Sequence, residues 1–240
     1  MAKVGKKFAK AKEAVAAKPH YALPEAVQAV AKNAFAKFDE TVEVALRLGV
    51  DPKHADQMVR GTVILPHGLG GKAKVVLVIA SGEKLKEAQD AGADHVGGED
   101  MVTRIQGENW LDFDAIVATP DMMRSVGKLG KVLGPRGLMP NPKSGTVTFD
   151  VTKAVKDAKG GRIEFRVDKT GVVHTVVGKS SFTEQALLQN LATLMDAINR
   201  ARPVGLKANY IESVYLTSTQ GPSVKLDLNE ASNLAGRAGS

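Results

Sequence analysis

The sequence predicts a mixed protein, α+β at its two ends and α/β in its middle, from three observations. Residues 41–48 alternate cleanly, with Val42, Val44, Leu46 and Leu48 on one face and Thr41, Glu43, Ala45 and Arg47 on the other. A strand does this when one face is buried and the other solvated. Residues 74–80 and 115–118 are instead nearly unbroken apolar runs, each followed by a helical pattern, as in a parallel sheet covered on both faces. The two patterns meet at Pro66-His67-Gly68-Leu69-Gly70-Gly71 and at Lys159-Gly160-Gly161. The economical architecture is a two-layer α+β domain formed by both chain ends, residues 1–67 with 160–240. Into it is inserted a three-layer, Rossmann-like α/β domain, residues 68–159. Pro66, Gly68, Gly70, Gly71, Gly160 and Gly161 are the expected hinge.

The elements follow in order. Residues 6–17 and 24–36 read as helices, the second opened by Pro24 with Glu25 behind it. The alternating strand 41–48 comes next, then a short strand over 61–65. In the middle, 82–91 and 99–106 are helical stretches and a further helix starts at 120–126. After the second crossing, 162–167 and 172–177 are expected to form a hairpin around Lys169-Thr170-Gly171. Residues 183–200 form a long amphipathic helix, with Leu187, Leu191, Leu194 and Ile198 on one face. Strands over 213–217 and 223–228 flank Gly221-Pro222.

At 240 residues the chain can bury one large core or two modest ones. Aromatics make up only 5%, so those cores must be aliphatic. With no cysteine, disulfides and thiolate metal sites are excluded, and a reducing, cytoplasmic setting is expected. The longest apolar run, residues 75–80, falls far short of a membrane span. The basic start of the chain has no apolar stretch of the kind a signal peptide needs.

The net charge of +7 favours an acidic partner, most simply nucleic acid. Residues 68–159 carry 13 Lys and Arg against 12 Asp and Glu, so the excess lies outside the middle. Lys3, Lys6, Lys7, Lys10 and Lys12 make a basic helix or a solvated arm. Phe38, beside Lys37, either stacks on a base or closes the core, and composition favours the core. The hydroxyl-rich end Thr217-Ser218-Thr219-Gln220-Gly221 can meet sugar hydroxyls and phosphates, or form an ordinary polar turn.

Catalytic patterns are weak. Gly68-Leu69-Gly70-Gly71-Lys72 is not a phosphate loop, because position 66 is Pro where Gly is needed and Ala73 follows the lysine. The five histidines are dispersed, without metal-ligand spacing. No nucleophile elbow occurs. No cofactor or metal is expected. Residues 128–146 hold three prolines among the glycines Gly130, Gly134, Gly137 and Gly145, with Lys128, Lys131, Arg136 and Lys143 between them. They read as a shaped basic loop with free backbone amides.

That same stretch carries a resemblance. Gly127-Lys128-Leu129-Gly130 and Leu133-Gly134-Pro135-Arg136-Gly137-Leu138-Met139-Pro140 resemble the signature of the large-subunit ribosomal protein L-one family in its bacterial form. Residues 37–43, 56–62, 65–68 and 178–182 match in family order, so the resemblance spans essentially the whole chain. It implies two domains, with the first binding a junction of large-subunit rRNA at the mobile stalk beside the tRNA exit site. It also implies a part in release of deacylated exit-site tRNA, and repression of the protein's own operon through an mRNA site that mimics the rRNA.

Carried over by position, the implied rRNA and mRNA contacts are Phe38, Thr41, Glu43, Thr217, Ser218, Thr219, Gln220 and Gly221. Lys37, Lys169 and Lys179 are supporting cations. Lys128, Lys131, Arg136 and Lys143 form a secondary RNA surface. Gln220 stands where the family usually has Met, so retained binding with altered local packing is expected. The stretch after Gly71 lacks the family's usual Lys/Thr pattern. Off the ribosome the protein is expected to be a monomer without membrane contact. The rival readings are a nucleotide-dependent α/β enzyme acting on RNA, and a free translational repressor that joins ribosomes only secondarily.

Overall fold

The computed structural model describes residues 5–71, 74–203, 205–206 and 209–228. Lys3 and the stretch immediately after Gly71 lie outside them. The chain divides into two compact units, one drawn from both chain ends, up to Gly71 and from Ile163, and the other from the residues between, through Arg162. It is mixed α/β throughout, as its sequence predicts.

In the first unit, helices α1 (Lys6–Ala16) and α2 (Leu23–Lys32) precede strand β1 (Thr41–Leu48) and strand β2 (Arg60–Ile64). Helix α2 stops at Asn33, short of the predicted 36, where a non-helical cap returns its N–H to Ala29 and Ala31. Strand β1 has the predicted alternation, with Val42, Val44, Leu46 and Leu48 all buried.

The second unit begins with β3 (Val76–Ile79), α3 (Lys84–Asp90), β4 (His95–Gly97), α4 (Glu99–Glu108) and β5 (Ala115–Ala118). Its sheet is parallel with order β4-β3-β5. Leu77 and Ile79 join Val102, Ile105, Ile116 and Ala118 in one core, whereas Val76, Val78 and Val117 join Ala88 in another. Both faces of β3 are therefore covered, which is why its sequence runs apolar without alternation.

After β5 a 3-10 turn leads into α5 (Met123–Val126), and another leads into α6 (Gly130–Leu133). The stretch expected as an open loop thus begins helical, because Leu129 and Leu133 are fully buried in the first of those cores. Two elements here escaped the sequence reading. Strand β4 is only three residues long. Helix α7 (Val151–Lys159) is capped by Asp150, whose carboxylate accepts the Lys153 N–H, and it buries Val151, Ala154, Val155 and Ala158 on the second core.

Back in the first unit come β6 (Arg162–Arg166), β7 (Val172–Lys179), α8 (Glu184–Arg200), β8 (Ile211–Ser218) and β9 (Val224–Lys225). Strands β7-β1-β8-β9 form one antiparallel sheet, while β6 pairs with β2. The hairpin expected over 162–177 is therefore corrected. Strands β6 and β7 share one bridge, Val167 to Val173, and then part into different sheets. Asp168 organises that corner, accepting the N–H groups of Thr170 and Val172. Helices α2 and α8 pack on the buried face of the four-stranded sheet, making two layers around an aliphatic core with Phe165 as its largest fully buried side chain.

Candidate RNA-binding edge

Strand β1 is central, so its first residue meets both neighbours at one end of the sheet. Thr41 stands opposite Lys179 on β7, and Val42 stands opposite Ser218 on β8. Polar bonds reinforce this end. The Thr219 hydroxyl accepts the Thr41 N–H at 2.9 Å and donates to the Thr41 carbonyl at 3.3 Å. From the other side, Lys179 Nζ donates to Thr41 Oγ1 at 2.7 Å. Thr217 turns its hydroxyl to the Gly221 carbonyl at 3.3 Å, closing the β8–β9 turn. Glu43 faces Thr217 across β1 and β8 on the side away from the core.

Gly221 is needed for space. A β-carbon there would collide with the hydroxyl of Ser218, which is buried. Ser218 thus supports the turn from below, whereas Thr219 and Gln220 are exposed on it. Phe38 is 54% exposed and Lys37 is exposed beside it, in the loop between α2 and β1. The composition-based placing of Phe38 in the core is corrected. The loop turns outward because its anchor is polar and lies two residues further on.

That anchor is Glu40, whose side chain has no solvent exposure. Its Oε1 accepts the Ala36 N–H at 2.7 Å and its Oε2 accepts the Gln220 N–H at 2.9 Å. Burial opposes ionisation, but the N–H groups of Gln220 and Ala36, with the Ser218 hydroxyl and the Phe35 N–H, together outweigh it and hold the carboxyl below its ordinary range. Asp39, alongside, accepts from both Ser181 Oγ at 2.6 Å and Ser180 Oγ at 2.9 Å. The Ser181 hydroxyl is the main cause of its lowered pKa. Both acids stay ionised, yet their charge is spent on the protein's own donors and does not confront a phosphate.

Sequence reasoning missed Glu40 although a signal existed. The parity that buries Val42, Val44, Leu46 and Leu48 also buries position 40. No comparable signal marks Asp39, Ser180 or Ser181.

Lys169 does not join the cluster. It sits at the corner before β7, and β7 runs the length of β1, from Val172 opposite Arg47 to Lys179 opposite Thr41. Six residues of strand put it about 20 Å from Thr41. In the second unit Lys128, Lys131 and Arg136 are all exposed, while the Lys143 side chain lies outside what is described.

At the expected hinge, Gly68, Gly70, Gly71 and Gly161 have positive φ, which favours glycine, whereas Gly160 does not. The stretch 67–70 is nevertheless fixed to the first unit. Asn190 Oδ1 accepts the His67 N–H at 3.1 Å, Asn190 Nδ2 donates to the Gly68 carbonyl at 3.1 Å, and the His67 ring meets Gln189. Gly70 lies against the Phe182 ring and the Lys179 side chain, where a β-carbon would come within 2.6 Å and 2.8 Å. His67, Gly68 and Gly70 of the expected hinge stretch are thus in contact with the first unit.

Among the described residues no cluster of acids and histidines could hold a metal ion, and no helix is long and apolar enough to cross a membrane. The model of the ribosomal protein L1p/L10e family matches residues 30–222. The large ribosomal subunit protein uL1 of Solibacter usitatus is 61% identical over 225 residues, 94% of each chain. The protein of the same name from Persephonella marina is 58% identical over 231 residues, 95% of each chain.

Proposed function

Because the chain belongs to the ribosomal protein L1p/L10e family, we propose that it is a non-enzymatic constituent of the large ribosomal subunit that binds rRNA through the end of its four-stranded sheet. One observation carries the reading. Thr41, Lys179 and Thr219, from three separate parts of the sequence, are hydrogen-bonded into one polar edge beside the exposed Phe38. Such an edge offers hydroxyls for ribose and phosphate, a cation for the backbone, and an aromatic face for a base. Relatives named as ribosomal proteins over nearly their whole length leave the nucleotide-dependent enzyme without support.

The finer assignments rest on the family resemblance. The split domain, residues 1–67 with 160–240, takes the stalk junction of large-subunit rRNA, and the operon mRNA competes for the same edge. The inserted domain, residues 68–159, presents Lys128, Lys131 and Arg136 as a weaker surface that meets exit-site tRNA during its release. Their exposure is consistent with that role. The protein is a monomer off the ribosome.

The test is a filter-binding titration of the full chain against a stalk-junction rRNA fragment at several salt concentrations. Tight binding that weakens steeply with salt is expected. Binding no tighter than to an unrelated duplex would remove the assignment.

A further inference from the structure

Glu40 unites three segments that each carry part of the proposed edge. Its carboxylate accepts Ala36 N–H from the loop that bears Phe38 and Gln220 N–H from the β8–β9 turn. Its own carbonyl accepts the Ser180 N–H at 2.8 Å from the turn after β7. The side chain is sealed from water, so it touches no RNA.

We propose that Glu40 is a positioning residue for RNA binding, holding the Phe38 loop and the 218–221 turn in their RNA-competent arrangement before RNA arrives. The proposal rests on the rRNA-binding reading above and assigns the pre-organisation of that edge to one buried carboxylate.

Its chemistry is specific. Each carboxylate oxygen faces a backbone N–H, and only a group with two acceptors can satisfy both. Glutamine has nearly the same shape but offers one oxygen and one NH2. In either orientation its NH2 would oppose the N–H of Ala36 or of Gln220, leaving buried donors unpaired. The loop or the turn must then move away, and the edge spends part of its time disassembled. Apparent affinity falls by the fraction of molecules still assembled.

The experiment compares wild type, Glu40→Gln, Glu40→Asp and, as a control, Glu164→Gln on the exposed face of β6. Each is titrated with the stalk-junction rRNA fragment at several salt concentrations, with association rates and amide hydrogen exchange measured in parallel. Glu40→Gln should bind about tenfold more weakly, through slower association, with an unchanged salt slope because no phosphate contact is lost. Glu40→Asp, which keeps two acceptors, should recover part of the loss, and Glu164→Gln should bind like wild type.

In RNA-free wild type the Ala36 and Gln220 amides should already exchange slowly. Folded Glu40→Gln with wild-type affinity overturns the proposal. So do amides at 36 and 220 that exchange fast in free protein and become protected only on RNA addition, a result that decides the matter even if Glu40→Gln does not fold. Slow exchange at both amides with no RNA binding by wild type would instead retain the lock and reject the rRNA reading.

Discussion

Asn190 holds Gly68. The amide of this fully buried residue on α8 donates to the Gly68 carbonyl at 3.1 Å and to the Val177 carbonyl at 2.8 Å, and accepts the neighbouring His67 N–H. One side chain thus fastens the departing chain to both the helix and the sheet. Asn190→Ala leaves these backbone groups without partners in a buried place. We predict a loss of about 1–3 kcal/mol of stability, measured by urea unfolding of the full chain. A change under a few tenths would mean that water replaces the amide at no cost.

Thr219→Ala removes the acceptor for the Thr41 N–H, and Gly221→Val drives a side chain into Ser218. Each is expected to weaken binding to the rRNA junction by about 1–3 kcal/mol while the protein stays folded. Filter binding with circular dichroism on the same samples checks this, and unchanged affinity in both variants would displace the site.

Lys179 and Lys169 should separate cleanly. Lys179→Met removes a cation bonded to Thr41 and should lower the salt slope of binding by about 0.7–0.9 if one phosphate contact is lost. Lys169 lies about two and a half Debye lengths away at physiological salt, so Lys169→Met should leave affinity within about twofold there. Equal effects of the two substitutions would show that RNA extends along the whole sheet.

Acid should loosen the edge in a defined sense. Asp39 and Glu40 have folded pKa values below their ordinary ones. Their ionised bonds therefore stabilise the fold above the unfolded carboxylate range, about pH 4, and this contribution disappears as pH falls through the lower folded values. Ser181→Ala removes the main donor to Asp39. The difference in melting temperature between wild type and Ser181→Ala should be largest near neutrality and shrink by pH 3. A difference constant across that range would rule out Asp39 as its source.

The sequence was most legible where one physical cause acts alone. Burial of one face makes β1 alternate and burial of both makes β3 run apolar, and each pattern can be read directly. It was least legible where partners are distant in the chain. Nothing local in residues 162–177 says that β6 belongs to β2 and β7 to β1, so adjacency suggested a hairpin that the sheets do not contain. Helix α7 has local signals in Asp150 and the closing Gly160, but Gly160 and Gly161 serve equally well as a crossing between units. At the edge, hydroxyls and glycine were visible as residue types, whereas the acids that organise them resemble ordinary surface charge until their donors are seen.

The order of the sheet also sets a schedule for synthesis. The second unit is one continuous segment ending at Arg162, so it can close as soon as that residue has emerged from the translating ribosome. Strand β1 must wait with both sides unpaired until β7 and then β8 are made. The proposed RNA edge needs Thr219 and Gly221, so it can assemble only after β8 and the turn behind it have been made. A nascent chain that stops short of Gly221 therefore lacks the proposed edge.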